Sequence, residues 1–290
     1  MKGFFLIDKE KGVTSFDVVR DVRRVTGEKR VGHAGTLDPL ATGLLLVAVG
    51  EATKLLEYFV GCDKEYEVRA KFGFVSDTFD AEGRVSEANP GVVLKKEEVE
   101  FVIGNSFIGE IEQVPPKYSA LKIEGKKAYE LARGGKEFEM KSRKVKIDAF
   151  DVLNFDWPFV DFRVKCGSGT YIRSLVHDLG QLLGCGAYVE ELRRTVVGNF
   201  SVMDSAKTNA VDKKVDQYLL SLEKMLSDFS RLELTDADFE GLKDGKVLMG
   251  KKLEQAPPVM AYFKGKLVGV VEDFNGVGVK YAKLISVSYD

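Results

Sequence analysis

The sequence predicts a two-domain α/β protein, and three observations lead to this fold class. The chain has 290 residues, which is long for a single hydrophobic core. Helix and strand patterns are mixed over about the first 228 residues. From about Ser230 onward, short strand patterns separated by glycines replace them. We therefore expect an α/β domain over 1–229 and a small β-rich domain over 230–290.

The first predicted elements are a strand and a helix. Residues 3–8 form an apolar run of strand length. The pattern over 14–27 predicts a helix, because its valines recur with helical spacing. Thr14 or Ser15 can serve as the N-cap, and Gly27 follows the last turn, as glycine often does at a helix end.

A constrained loop follows, and it contains one carboxylate. Residues 32–43 include three glycines and lead into 44–49, an unbroken apolar run that predicts a buried strand. Asp38 lies within this loop, and Pro39 restricts both its own φ and the conformation of the residue before it. An Asp-Pro pair most often only starts a turn, through a side-chain hydrogen bond. The alternative is that the loop holds a reacting carboxylate with little conformational freedom.

The remaining elements follow from alternation, helical spacing and proline positions. Strands are predicted over 66–74, 145–153, 160–166 and 266–273. Helices are predicted over 95–104, 170–184 and about 218–228, and the second of these is the clearest because its apolar residues share one face. The segment 76–85 is polar and rich in turn residues, and 114–122 contains two adjacent prolines, which exclude a helix interior.

The composition excludes several classes of protein. It is 44% hydrophobic and 30% charged, which is typical of a soluble globular protein. No apolar run approaches the roughly 18 residues that a membrane-spanning helix needs. The N-terminal apolar run is too short for a signal peptide, so we expect a cytoplasmic location.

The sequence gives no support for a metal, redox or nucleotide site. The three cysteines are odd in number and far apart, and there are only two histidines. No phosphate-binding or dinucleotide-binding glycine motif follows a strand. If the protein is an enzyme, we expect it to work with its side chains alone and without a cofactor.

Charge is distributed unevenly along the chain. The formal net charge is −2, but residues 122–146 contain nine lysines and arginines against four acidic residues. Such a run is usually a solvated face. The alternative is a surface that binds the phosphates of a nucleic acid.

Five stretches of the chain form a distinctive set, namely GHAGTLDPLATG (32–43), DKEYEV (63–68), QVPPKYSALKIEGKKAYELARGG (113–135), CGSGTYIRSLVHDLG (166–180) and LRRTVVGNF (192–200). In this order they closely resemble the tRNA pseudouridine synthases of the TruB class, and DKEKGVTS (8–15) and SDTFDAEG (76–83) fit the same family. The resemblance runs from residue 4 to about 205, and the tail after 230 resembles the PUA-type RNA-binding domain more loosely. Glu10 departs from the family, which usually has proline there, at a turn rather than at a reacting group.

The resemblance implies a fold, a reaction and a partner. The implied fold is a mixed, largely antiparallel sheet with flanking helices, followed by a PUA-like β domain. The implied reaction is the isomerisation of uridine 55 in the T-loop of tRNA to pseudouridine, which involves base flipping and no net oxidation, and therefore needs no cofactor or metal. We expect the T-arm of tRNA as the partner, a monomeric state, no obligate protein partner and no membrane association.

The resemblance also implies roles for individual residues. Asp38 would be the nucleophile, and Arg173 would oppose the rise in pKa that burial causes in a carboxylate. Tyr66 would stack on the uracil, and its phenol could also move a proton. The implied substrate-binding residues are His33, which would help to displace the base, Lys54, Tyr171 and Leu192, together with Lys126, Lys127 and Arg133 of a basic RNA-clamping insertion over 122–146. On its own, each of these residues would have an ordinary core or surface interpretation.

Three other functions can be weighed against this one. A non-catalytic RNA-binding protein could use the same scaffold, but the joint presence of Asp38, Tyr66 and Arg173 argues against it. A carboxylate glycosidase normally needs two acids at its site, whereas this loop offers one. For a relative that modifies ribosomal or guide-selected RNA we would expect a long basic extension, and its lack favours a stand-alone tRNA enzyme.

Overall fold

The computed structural model describes residues 1–123, 125–213, 215–254 and 257–285. Position 124 of the basic insertion and positions 255, 256 and 286–290 of the predicted β-rich domain lie outside the described residues. Within the described ranges, no helix is long and apolar enough to span a membrane.

The first 229 residues contain short and long strands interleaved with helices. The strands are β1 (Gly3–Lys9), β2 (Val31–Ala34), β3 (Thr42–Val49), β4 (Lys64–Phe72), β5 (Phe74–Ser76), β6 (Val85–Glu87), β7 (Gly109–Gln113), β8 (Lys122–Ile123), β9 (Lys126–Lys127), β10 (Arg143–Asp156), β11 (Phe159–Cys166), β12 (Ala187–Val197), β13 (Phe200–Ser201) and β14 (Ala206–Lys207). The helices are α1 (Ser15–Thr26), α2 (Leu56–Val60), α3 (Lys96–Ser106), α4 (Ala128–Arg133), α5 (Ile172–Leu182), α6 (Thr208–Lys213), α7 (Val215–Tyr218) and α8 (Leu222–Met225).

The main sheet is mixed and largely antiparallel, as predicted. Its strands lie in the order β14-β1-β3-β12-β4-β11-β10-β7, with β2 paired to β3 and β13 paired to β12. Among its described strand pairs, β1–β14 and β3–β12 are parallel and the others are antiparallel. Two small hairpins, β5–β6 and β8–β9, lie outside this sheet.

The ends of α1 match the predicted signals and resolve the choice of N-cap. The hydroxyl of Thr14 accepts from the Asp17 backbone N–H at 3.0 Å, and the Asp17 carboxylate accepts from the Thr14 N–H at 2.8 Å, which forms a capping box. Gly27 ends the helix with a left-handed φ of 66°. Ser15 has a different task, because its hydroxyl is buried against Leu37 of the Asp38 loop.

The structure differs from the sequence prediction in several segments. Residues from Gly32 onward were expected to be loop, but 31–34 form β2, so the loop itself is only 35–41. No element was predicted over 187–197, which forms the central strand β12. Two register shifts interrupt this strand, and they break the strict alternation by which a half-buried strand is recognised. The helix expected over 218–228 is shorter, since α8 spans only Leu222–Met225.

The two faces of the main sheet are covered differently. Phe5 and Val47 point to one face, where they pack with apolar residues of α1, α3 and α5. Phe4 and Leu46 alternate with them and point to the other face, where they pack with α2 and α8. The main sheet is therefore buried on both sides at β1 and β3, and the Asp38 loop leads directly into β3.

The C-terminal part contains a second sheet. Its elements are β15 (Ser230–Glu233), α9 (Asp236–Lys243), β16 (Leu248–Met249), β17 (Val259–Phe263), β18 (Lys266–Phe274) and β19 (Gly278–Leu284), with the strand order β15-β17-β18-β19-β16. This confirms the predicted C-terminal β domain, while the boundary at residue 230 stays a prediction. Met260 and Tyr262 of β17 pack into the same apolar cluster as Phe4 and Leu46, so the second sheet covers part of the main one.

Candidate active site

The Asp38 loop is held on several sides by hydrogen bonds. The Ser15 hydroxyl donates to the Leu37 carbonyl at 3.0 Å and accepts from the Leu37 N–H at 2.8 Å. The Gly12 N–H donates to the Pro39 carbonyl at 2.8 Å, and the Asp38 carbonyl accepts from the N–H of Ala41 at 3.1 Å. The loop is therefore fixed, as the placement of a reacting carboxylate requires.

Asp38 faces a cavity of about 310 Å³. The structure brings together in its lining five residues that the sequence singled out, namely Asp38, Tyr66, Tyr171, Arg173 and Leu192. The Asp38 side chain is 36% exposed, so it reaches the cavity while its surroundings remain largely protein. A group of flat, partly apolar shape could enter this cavity and contact the carboxylate.

Arg173, on the first turn of α5, forms an ion pair with the Asp38 carboxylate. Its Nε lies 2.9 Å from Asp38 Oδ2, and the side chain is only 5% exposed. Its two terminal nitrogens donate elsewhere, Nη1 to the Thr78 carbonyl at 3.0 Å and Nη2 to the Tyr118 carbonyl at 2.9 Å. The arginine thus contacts Asp38 through one nitrogen while the carbonyls fix its orientation.

A second carboxylate shares this arginine, and the sequence analysis did not identify it. Asp80 Oδ2 lies 3.2 Å from Arg173 Nη1, and Asp80 is buried. Its other oxygen accepts from the Thr78 hydroxyl at 2.6 Å and from the Glu82 N–H at 3.0 Å. Burial raises the pKa of Asp38, Arg173 opposes that rise, and the nearby Asp80 adds to it.

Lys9 is a buried cation beside the same loop. Its ammonium donates to the carbonyls of Val13 at 2.7 Å, Glu10 at 3.0 Å and Pro39 at 3.3 Å. Burial lowers the pKa of Lys9 to about 8, although the Asp38 carboxylate opposes this shift. Lys9 therefore connects the end of β1 to the residue that follows Asp38.

Tyr66 and Arg194 face each other across the central strands. They are directly opposite in the β4–β12 register, and both are buried. Burial raises the pKa of Tyr66, whereas the Arg194 guanidinium opposes that rise. Arg194 also donates from Nε to the Leu44 carbonyl at 2.7 Å and from Nη2 to the Gly35 carbonyl at 3.0 Å. One side chain thus links Gly35, at the start of the Asp38 loop, and Leu44 of β3 to β12, which pairs with the strand that carries Tyr66.

Tyr171 is held through its backbone by Gln113. The Gln113 side-chain amide donates to the Tyr171 carbonyl at 3.1 Å, and its oxygen accepts from the Tyr171 N–H at 2.8 Å. The Arg143 guanidinium lies 4.8 Å from the centre of the Tyr171 ring. Leu192, on β12, supplies an apolar part of the cavity wall.

Two predicted substrate contacts lie outside the described lining of this cavity. His33 is on β2, where burial and Arg194 lower the pKa of its imidazole and its Nδ1 has no hydrogen-bond partner among the described residues. Lys54 pairs with Glu51 at 2.5 Å and donates to the Leu284 carbonyl at 2.9 Å, so it lies against the second sheet. Their roles toward a substrate stay predictions.

The predicted RNA-clamping residues form an exposed hairpin and helix. Lys126 and Lys127 lie on β9 and Arg133 ends α4, and all three are exposed. Lys127 and Arg133 lie 5.4 and 5.6 Å from the centre of the Tyr129 ring. This segment follows directly on 119–121, which lines the cavity, so its basic side chains continue outward from the cavity wall.

Sequence reasoning missed Lys9, Asp80, Arg143 and Arg194. Lys9 ends a strand whose residues 4–7 are apolar, which is a weak signal that it is buried. Arg194 lies between Arg193 and Thr195 in β12, so its local sequence gives no such signal. Asp80 lies in a segment that was identified only as a polar loop. Arg143 was counted within the basic insertion, because its position over Tyr171 depends on a contact between distant segments.

Comparisons with known proteins bear on the whole chain. The model of "TruB family pseudouridylate synthase (N terminal domain)" matches residues 23–172, and that of "tRNA pseudouridylate synthase B C-terminal domain" matches 173–228. A tRNA pseudouridine synthase B from Clostridium tetani is 39% identical, over 98% of this chain and all of the relative. The protein of the same name from Clostridium kluyveri is 41% identical, over 96% of each chain.

Among solved structures, a chain of a Cbf5-Nop10-Gar1 complex superposes with a TM-score of 0.76. It is 24% identical in sequence, and the match covers 98% of this chain and 85% of the other. A chain of an H/ACA RNP bound to a substrate RNA containing 2′-deoxyuridine gives a TM-score of 0.73 at 23% identity, with the same two coverages. At these identities the likeness establishes the fold alone.

Proposed function

The chain belongs to the TruB family of pseudouridylate synthases, and we propose that it isomerises uridine 55 in the T-loop of tRNA to pseudouridine, with Asp38 as the nucleophile. The observation that carries the proposal is the Asp38 carboxylate in a cavity, held at 2.9 Å by a buried arginine. The same cavity contains Tyr66, an aromatic surface on which a flipped base can stack.

The reaction balances with protein side chains alone. The N1–C1′ bond breaks, the uracil turns, and a C5–C1′ bond forms; C5 loses a proton and N1 gains one. Asp38 can attack C1′, attack C6 or remove a proton from the sugar, and each route begins from the ionised carboxylate. Arg173 favours that ionised form against the effect of burial.

Tyr66 acts on the base. Since burial raises the pKa of Tyr66, its phenol stays protonated at neutral pH and can donate a hydrogen bond. Its ring stacks on the flipped uracil, while Tyr171 and Leu192 complete the walls around it. Arg194 lies opposite Tyr66 in the strand register and donates to the Gly35 carbonyl, so it fixes the position of the Tyr66 ring relative to the Asp38 loop.

The remaining predicted residues contact the RNA. His33 helps to displace the extruded uridine, and Lys54 pairs with a phosphate of the RNA. Lys126, Lys127 and Arg133 bind phosphates of the T-arm, because exposed cations that continue from the cavity wall are well placed for a backbone contact. The enzyme works as a monomer in the cytoplasm without an obligate protein partner, and the C-terminal sheet over 230–290 is a PUA-like RNA-binding domain.

Asp38→Asn tests the proposal directly. An unmodified tRNA transcript is incubated with each protein, and pseudouridine is mapped by a chemical-adduct stop assay. We expect product at position 55 with the wild type and none with Asp38→Asn, whose affinity for tRNA stays within about threefold because phosphate contacts dominate binding. A transcript with cytidine at position 55 is the control substrate. Turnover by the purified variant would show that the carboxylate is not the nucleophile, and no product with the wild type at any uridine would reject the reaction itself.

A further inference from the structure

Arg143 is half-buried, whereas the other cations in the described lining of the active-site cavity, Lys64, Arg173 and Arg194, are buried, so Arg143 lies on the solvent side of that cavity, at its mouth. It is the first residue of β10 and lines the cavity that contains Asp38. Its half-buried guanidinium lies 4.8 Å from the centre of the Tyr171 ring, and Nη2 donates to the Gly169 carbonyl. Gly169 has a φ of +85°, a backbone conformation that favours glycine, and in this conformation its carbonyl accepts from the guanidinium. The cation is therefore fixed in position rather than free in solvent.

The position of Arg143 is coupled to that of Tyr171. Arg143 pairs with Gln113 in the β10–β7 register, and the Gln113 side chain holds the Tyr171 backbone through two hydrogen bonds. The cation and the aromatic ring beneath it therefore rest on one strand pair. This arrangement reduces the entropy that the guanidinium would lose on binding a ligand.

The other cations that line the cavity already have partners. Lys64 is buried and donates to the Val60 carbonyl at 2.6 Å and to the Cys62 carbonyl at 2.5 Å. Arg173 and Arg194 are buried and donate to the carbonyls described above, and Arg173 also contacts two carboxylates. The donor groups of these three cations are therefore occupied by contacts within the protein.

Arg143 differs from these and from its neighbours in the chain. Lys144 pairs with Glu110 at 2.7 Å, and Lys146 pairs with Asp148 at 2.6 Å. In the described part of the chain, no carboxylate lies within salt-bridge distance of Arg143, and its buried Nε has no hydrogen-bond partner. A fixed guanidinium with an unused donor and an uncompensated charge is suited to an anion.

We propose that Arg143 binds a phosphodiester adjacent to the target uridine and so holds the flipped nucleotide at the cavity mouth. A nucleotide that enters base first leaves its phosphates at the entrance, where Arg143 lies. The planar guanidinium suits phosphate oxygens and is always charged. The inference rests on the proposed function, because it concerns the same cavity and the same RNA.

Short T-arm hairpins with one neutral linkage test this contact. A methylphosphonate replaces the phosphodiester on the 5′ side or on the 3′ side of the target uridine. A 2′-O-methyl or 2′-deoxy group on the preceding ribose keeps the linkage intact, and charged hairpins with the same ribose change are the references. Dissociation constants are measured for the wild type, Arg143→Gln, Arg143→Lys and Arg163→Gln. Arg163 is the matched control, because it is an exposed arginine on β11 that pairs with Asp151 at 2.8 Å.

We expect one of the two neutral linkages to weaken wild-type binding about tenfold, as the loss of a charged hydrogen bond should. Arg143→Gln should bind the charged hairpin about tenfold more weakly than the wild type does. Its affinity should not fall further when that linkage is made neutral, because the side chain that contacts the phosphate is already absent. Arg143→Lys should keep part of the sensitivity, since a lysine still presents a positive charge, although it cannot replace the planar stack on Tyr171. Arg163→Gln should behave like the wild type.

Two results would overturn the proposal. In the first, neither neutral linkage weakens the binding of the hairpin to the wild type. In the second, each neutral linkage reduces the affinity of Arg143→Gln by the same factor as it reduces the affinity of the wild type. Failure of the proposed function is distinguishable, because the wild type would then form no pseudouridine in a fully charged, unmodified hairpin, whatever residue stands at position 143.

Discussion

The guanidinium of Arg173 lies between two carboxylates, Asp38 and Asp80, at 2.9 and 3.2 Å. Two negative groups near one positive group favour a proton on one of them, and burial acts in the same direction. The pKa of Asp38 therefore depends on the position of the Arg173 charge as well as on its presence. The two carbonyl contacts of Arg173 hold the charge in that place.

Arg173→Lys tests this dependence. Lysine keeps the charge but offers one nitrogen in place of a planar group, so it cannot hold both carbonyls and both carboxylates. We expect the single-turnover rate to fall about a hundredfold, as misplacement of a reacting group can cause, with little change in tRNA affinity. Because Arg173 holds the pKa of Asp38 down against burial, a weaker contact lets that pKa rise. The ionised form is then lost at higher pH, and the acid limb of the pH–rate profile moves upward.

Arg20→Lys is the control for Arg173→Lys. Arg20 is 66% exposed on α1 and pairs with Asp17 at 2.7 Å, far from any cavity contact. We expect this variant to be nearly as active as the wild type. Equal, mild effects of the two substitutions, with an unmoved acid limb, would mean that Asp38 has a different partner.

The local pattern left Asp38 open between a turn residue and a reacting carboxylate, and the family resemblance supplied its proposed role together with those of Tyr66 and Arg173. Lys9, Asp80 and Arg194 escaped prediction because a charge is usually a surface residue when only its neighbours in sequence are considered. The carbonyl of Gly35 that accepts from Arg194 is 159 residues away in the chain. Partners at such separations are set by the sheet order, and no local pattern reports them.

At the scale of elements, the sheet and its helices were more predictable than the central strand. α1 and α5 have clear apolar faces, α1 also has capping signals, and both helices lie close to the expected limits. β12 was missed because its two register shifts change which residues face inward along the strand. The same strand carries Leu192 and Arg194, so the least regular element is the one that organises the cavity.

The basic segment 126–136 carries four exposed cations, Lys126, Lys127, Arg133 and Lys136. Neutralising Lys126, Lys127, Arg133 and Lys136 together should weaken tRNA binding and reduce the slope of log K against log salt by about two to three, because fewer counterions are released. The free energy of unfolding should change by less than about 0.5 kcal/mol per site, since exposed lysines contribute little to stability. Binding is measured over a series of salt concentrations, and unfolding by urea titration.

A triple variant of paired cations controls for the loss of charge alone. Arg69, Lys96 and Arg163 are exposed and pair with acidic residues at 2.7, 3.4 and 2.8 Å, away from this segment. Replacing them with glutamine should leave the salt slope nearly unchanged. If the four basic residues behave like this control, the segment is only a solvated face.

At the scale of the whole molecule, the two sheets share an apolar cluster. Met260 and Tyr262 of β17 pack with Phe4 and Leu46 of the main sheet, and all four are buried. Lys283 pairs with Glu57 at 2.8 Å at the same contact. Burial of this kind couples the stabilities of the two parts, so we expect them to unfold together.

Met260→Ala tests this coupling. Removing a fully buried methionine side chain should lower the free energy of unfolding by about 2–5 kcal/mol. Trp157, the single tryptophan, lies in the turn between β10 and β11, where the centre of its ring is 5.2 Å from that of Phe72 in β4, so it reports on the main sheet. We expect its fluorescence transition and the far-UV circular dichroism transition to move together to lower denaturant.

Met249→Ala in the same C-terminal sheet is the control, because Met249 is 70% exposed and its truncation should change little. A fluorescence transition of Trp157 that stays in place while circular dichroism shows an earlier step would mean that the two sheets unfold independently.

The two hydrogen bonds of Arg194 set the number of residues that the Asp38 loop can contain. Its planar group binds the carbonyls of Gly35 and Leu44, so the segment between them begins and ends on one side chain. An inserted or deleted residue would remove one of these contacts and rotate the carboxylate away from the cavity. Among the described contacts of the largely exposed segment 134–142, no single side chain binds both of its ends. This segment can therefore change length at small entropic cost. Across relatives, we expect insertions and deletions to collect in that segment and to be absent from the loop around the nucleophile.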